Sequence, residues 1–132
     1  MARPNKVKAY DGPHSVITRK ADGAITEASV VTSGTNEIDV TEAGSGDNPV
    51  GVVEGSTVGD SDNPQDGDEV NLIVGGVVRV EANGSVSEGD VVKADAGGTV
   101  VPVTGDGTDS PSLHLGKALE GGADGDVIEV KL

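Results

Sequence analysis

Val70-Asn71-Leu72-Ile73-Val74-Gly75-Gly76-Val77-Val78-Arg79-Val80-Glu81-Ala82-Asn83-Gly84 decides the fold class of this chain. Val70 to Val74 is an apolar run closed by two glycines. Val78, Val80 and Ala82 then alternate with Arg79 and Glu81, the two-residue period of a half-buried strand. Asn83-Gly84 is a strong hairpin turn signal. No stretch long enough for a helix carries apolar residues at helical spacing without a glycine in it. The expected fold is therefore all-β, with at most one short helix near Ser112.

The same pattern extends in both directions. Downstream, strands are expected over Val91 to Ala94, Thr99 to Val103 and Leu113 to Leu119, and at Val127 to Leu132. Upstream, Thr26 to Thr32, Glu37 to Thr41 and Pro49 to Glu54 read as strands, with Ile38 and Val40 on one face. Gly59 to Glu69 and Gly105 to Ser110 are too polar to pack and are expected as exposed loops. Short strands at such spacing suggest a sandwich or a small barrel. Gly-Asp precedes a strand three times, at Gly67-Asp68, Gly89-Asp90 and Gly125-Asp126. Glycine supplies a positive φ and aspartate accepts backbone N–H bonds, so turn chemistry accounts for the recurrence without a ligand.

The material for a core is thin. Among 132 residues there is no Phe or Trp, and one Tyr. Aromatic side chains bury about 150–250 Å² each, so a monomer without them is expected to lean on copies of itself or on a larger body. Cysteine is absent, which excludes disulfides and thiolate metal sites.

Net charge is −14, from 23 acidic and 9 basic residues. Such a surface repels itself at low salt and suits concentrated brine, where screening shortens to about 3 Å. Nucleic acid is not an expected partner, because phosphate binding needs a basic footprint. No apolar run approaches membrane-spanning length, and the N-terminus lacks a signal-peptide core, so neither a membrane partner nor export is expected.

Charge is unevenly placed. Residues 1–20 carry five basic residues against Asp11, a balance of +4, whereas 21–132 carry four against 22 acids, a balance of −18. The expected organisation is a basic extended N-terminal arm over 1–20 and a single β-domain over 21–132. Arg3, Lys6, Lys8, Tyr10, Arg19 and Lys20 are the candidate docking residues. The same charges could instead neutralise the chain's own acidic body.

Catalytic and metal chemistry find little support. Asp60, Asp62, Asp66 and Glu69 have partial oxygen-ligand spacing, but an EF-hand read from Asp60 puts Gln65 where glycine is required. Gly121 to Asp126 resembles a single calcium-binding nonapeptide with Asp124 in a glycine position. These are weak metal candidates beside the reading as solvated loops. His14 and His114 have no second histidine at zinc spacing, and no Gly-x-Ser-x-Gly elbow or P-loop exists. No enzymatic function and no cofactor are expected.

Gly76-Val77-Val78-Arg79-Val80, Val86-Ser87-Glu88-Gly89-Asp90-Val91-Val92-Lys93-Ala94-Asp95 and Gly98-Thr99-Val100-Val101-Pro102 resemble the capsid cement, or head decoration, proteins of tailed viruses and prophages. Leu115 to Gly122 and Gly125 to Leu132 look like that family's terminal strands, and Val50-Gly51-Val52-Val53 is similar to an earlier one. The resemblance implies a small β-barrel or β-tulip-like domain of short antiparallel strands. It also implies a structural virion protein, made in the host cytoplasm, that binds the major capsid protein on the outer capsid surface as a homotrimer at threefold and local threefold sites. The acidity and the long loops depart from the family pattern and suit a haloarchaeal virus. The competing reading is a calcium- or ligand-binding β-module on a cell or virion surface.

Overall fold

A computed structural model describes residues 10–54, 63–103 and 111–132, with backbone alone for 10–14. The described residues form nine strands: β1 (Tyr10–Ala21), β2 (Val30–Ser33), β3 (Asp39–Glu42), β4 (Gly51–Val53), β5 (Glu69–Glu81), β6 (Val91–Asp95), β7 (Thr99–Pro102), β8 (His114–Ala118) and β9 (Val127–Lys131). There is no α-helix among them. A 3-10 turn at Pro111–Leu113 stands where a short helix was expected. The loop expected at 105–110 lies outside the described residues, as does 59–62 of the earlier one. Asn63 to Glu69, the described part of that earlier loop, is largely exposed.

The fold is all-β, as the periodicity predicts, with a closed five-stranded barrel. Its ring runs β1-β3-β2-β4-β5 and closes because β5 also pairs with β1. A second arc runs β5-β9-β8-β6-β7. It returns to β5 through one parallel bridge between Ala82 and Val100, where the Asn83 N–H donates to the Val100 carbonyl at 2.9 Å. All ladders between strands are antiparallel except β1 with β3.

β5 is the shared staff of both rings. The sequence suggests two strands broken at Gly75-Gly76; the structure has one strand passing through them. Gly76 takes φ +101°, open to glycine at little cost, and the β1–β5 register shifts between Ser15 and Val16 beside it. A second shift falls between Asp11 and His14. It contains Pro13, which has no N–H for a ladder. The stretch Asp11 to His14, which reads as a turn, is thus an irregular part of β1.

Two cores lie on the two sides of shared strands. Val31, Val40, Val53, Val70 and Leu72, with Ala21 and Ile25, fill one cluster. Val30, Val52 and Ile73 turn the other way and join Val78, Val80, Val92, Val100, Ile128 and Val130 in the second. The adjacent apolar pairs Val30-Val31, Val52-Val53 and Leu72-Ile73 are strands buried on both faces. Val40 is buried as expected, but Ile38 precedes β3 and is 60% exposed, so the two do not share a face.

The three Gly-Asp turns are built alike. Gly67, Gly89 and Gly125 have φ between +85° and +91°. The following aspartate accepts a backbone N–H three residues upstream: Gln65 to Asp68 at 2.9 Å, Ser87 to Asp90 at 2.9 Å, Ala123 to Asp126 at 2.8 Å. Each turn docks on a buried alanine by reciprocal backbone bonds. Gly67 donates to Ala21, Gly89 to Ala118 and Gly125 to Ala82, and each alanine N–H donates back to the aspartate carbonyl. A fourth turn escaped the sequence pattern. Ala28, at φ +62°, donates to Val53, whose N–H donates to Ser29, while the Glu42 carboxylate accepts the Thr26 N–H at 2.9 Å.

Candidate functional site

Several aspartates are occupied in holding backbone. Besides the three turn aspartates, Asp47 accepts the Gly44 N–H at 2.8 Å and Asp66 accepts the Gly23 N–H at 2.9 Å. Asp22 accepts both the N–H and the hydroxyl of Thr35, at 2.9 and 2.8 Å, and these bonds hold its carboxyl below its ordinary pKa. Of the weak metal candidates, Asp60 and Asp62 lie outside the described residues. Glu69 is exposed at the start of β5, opposite Lys20. No cluster of three or more His, Asp or Glu capable of holding a metal occurs among the described residues. His114 is exposed on β8. No helix among the described residues is long and apolar enough to cross a membrane.

The basic candidates are separated by the fold. Arg3, Lys6 and Lys8 lie outside the described residues. Tyr10 opens β1, its backbone opposite Val78. Arg19 and Lys20 lie near the other end of the same strand, about 30 Å away at the usual rise per residue. There Lys20 is exposed, Arg19 is half-buried with its guanidinium donating to the Thr18 carbonyl at 2.8 Å, and both border a shallow depression with exposed Ile38 and Glu69. The boundary expected between Lys20 and Ala21 falls one residue before the end of β1. The structure does not gather Tyr10 with Arg19 and Lys20, because a paired strand is extended.

Sequence reasoning passed over a second set of cations. Val78, Val80, Val92, Ala94, Ala118, Ile128 and Val130 face the second core, so their alternates Arg79, Lys93, Lys117 and Lys131 face out. Register lines them up. Val91 lies opposite Lys117, Lys117 opposite Lys131, Lys131 opposite Val77, and Val77 opposite Asp11 of β1. A neighbouring row holds Val101, Lys93 and His114. The alternation showed that each lysine points outward; only pairing shows that Lys117 and Lys131 are neighbours.

A second depression, with His114 at its wall, forms where β4 leaves β5 and β9 joins it. Val50, Val74, Leu115 and Leu132 line it, and Val50 and Val74 are each 38% exposed. Neither depression carries a nucleophile with a base beside it.

Comparison with known proteins agrees with a surface-binding role. Residues 4–132 match the family described as structural cement protein (E217 gp24/Pam3 gp6). No curated protein matches the chain. Among solved structures, the head fiber gp8.5 N base of bacteriophage phi29 superposes with a TM-score of 0.64. It is 20% identical, over 91% of this chain and 94% of that one. At that identity the likeness shows a shared fold. The family match covers nearly the whole sequence, both rings included, and the chain belongs to the structural cement protein family of phages.

Proposed function

We propose that this chain is a non-enzymatic decoration protein that binds the outer surface of an icosahedral capsid and stabilises it. It does so as a homotrimer at threefold and local threefold sites, against the major capsid protein. The observation that carries the reading is the family match over residues 4–132. The phi29 structure of similar fold is the base of a head fiber, which fits attachment to a viral head. Binding an assembled shell more tightly than its free subunits stabilises the shell by mass action. A net charge of −14 fits a high-salt setting, and on that ground a haloarchaeal virus is the proposed source, with the protein made in the host cytoplasm.

In this reading the basic arm over 1–20 docks on the shell, with Arg3, Lys6, Lys8 and Tyr10 in the first half and Arg19 and Lys20 beside the Ile38 depression. The second half of the arm is β1, a strand of the barrel itself, and residues 21–132 complete the single β-domain around it. Co-sedimentation with shells assembled without this protein tests both ideas. The full chain is expected to pellet with shells and to raise their melting temperature. A chain lacking residues 1–9 is expected to lose binding while keeping its circular dichroism spectrum, because every described ladder begins at Tyr10 or later. Undiminished binding by the truncated chain refutes the arm's role.

A further inference from the structure

We propose that the outer face of β8 and β9, centred on Lys117 and Lys131, is a docking surface for a carboxylate-rich segment of the shell protein. The proposal rests on the cement reading and adds a contact to it. The starting observation is a like-charge pair. Lys117 and Lys131 lie directly opposite each other on neighbouring antiparallel strands. Such placement is unfavourable for the isolated fold.

Of the other cations of the described residues, Arg19 lies opposite Val70, Lys93 lies opposite Val101 and His114, and two face a carboxylate. Lys20 lies opposite Glu69, and Arg79 opposite Glu129. The cross-strand neighbours of Lys117 are Val91 and Lys131, and those of Lys131 are Lys117 and Val77. Neither has a carboxylate across from it, in a chain with 23 acidic residues. Glu129, two positions along β9 from Lys131, is the one opposite Arg79.

What surrounds the pair has the composition of a contact surface. Val77 and Val91 flank it half-buried, and Leu119, just beyond the end of β8, is 41% exposed. Lys93 and His114 form the adjacent row. Apolar groups around the Lys117 and Lys131 ammonium groups, neither with a carboxylate across the ladder, fit an acidic partner carrying some apolar surface. The row also runs through Val77 to Asp11, at the start of β1. A second copy of this chain, itself acidic, is the competing occupant, and the self-association arm of the test separates the two.

The test is Lys117→Glu, which affects fold and docking in opposite directions. It converts the Lys117–Lys131 pair into an attractive one, so the melting temperature of the free chain is expected to hold or rise. Affinity for shells assembled without this protein is expected to fall tenfold or more at low salt, with a shallower dependence on ionic strength than the wild type shows. Lys131→Glu is expected to reproduce both effects. Unchanged shell affinity and salt dependence, with wild-type protein binding normally, overturn the proposal. So does a change in the self-association of the free chain by sedimentation equilibrium with shell affinity intact, which assigns the face to a second copy. Wild-type protein that binds no shells overturns the cement reading, and this one with it.

Discussion

The first ring, β1-β3-β2-β4-β5, is closed by a ladder at every joint, whereas the second, β5-β9-β8-β6-β7, returns to β5 through a single bridge at Ala82 and Val100. A closed barrel has no free strand edge to manage. The second ring leaves most of one side of β7 without a ladder, and two docked turns reinforce its ends. The turn at Gly89-Asp90 holds Ala118, and the turn at Gly125-Asp126 holds Ala82 beside the closing bridge. The difference shows how a chain without Phe or Trp assembles a core. Two narrow rings of Val, Ala, Ile and Leu share β5, and the strands between the cores are buried on both faces. No single large side chain is needed where each shared strand contributes to two clusters.

The comparison is most severely tested by Leu72→Ala. Leu72 is fully buried in the barrel cluster, and its neighbour Ile73 is fully buried in the other. The substitution is expected to cost about 2–5 kcal/mol in urea denaturation. Because β5 belongs to both rings, one cooperative transition is expected. A barrel that unfolds while β6, β8 and β9 keep their amide protection would show that the rings are separate units.

Gly116→Ala probes the second ring alone. A Cβ at Gly116 would collide with the Lys131 carbonyl oxygen, where β8 crosses β9. The expected cost is about 1–3 kcal/mol, typical of overpacking. Faster amide exchange is expected in β8 and β9, with β2 and β4 unchanged. Equal acceleration in both rings would mean that the barrel depends on the second ring for its closure.

The smallest effect is expected from Asp22, just beyond β1 at the barrel's end. The Thr35 N–H, and after it the Thr35 hydroxyl, favour the charged carboxylate and lower its pKa in the fold. Its contribution is therefore present above the unfolded-state value and is lost as pH falls below about 4, through the folded value. Asp22→Asn should flatten that acid limb of the stability curve, measured by melting between pH 5 and 3, and leave exchange in the second ring unaltered. An acid limb of unchanged slope would assign it to other carboxylates.

Much of this was legible along the chain. Two-residue alternation identified the strands around Val78 to Ala82 and Ile128 to Val130, and Gly-Asp identified three strand starts. Both are local signals. The fourth turn was missed because Ala28-Ser29 replaces Gly-Asp and the distant Glu42 completes it. The continuous β5 was missed because Gly75-Gly76 reads as a break until β1 lies beside it. Composition presents the arm as one basic unit, yet an extended strand sets Tyr10 far from Lys20.

By itself, then, the order of residues determined that this protein is built of strands, where most of its turns fall, which side chains face outward and which family it resembles, because backbone dihedral preference and side-chain alternation act over a few residues. Only the folded chain decided that β1 meets β5 to close a barrel, that adjacent valines serve two cores and that Lys117 stands against Lys131. Those facts depend on the register between segments far apart in sequence, set by the packing of all nine strands at once.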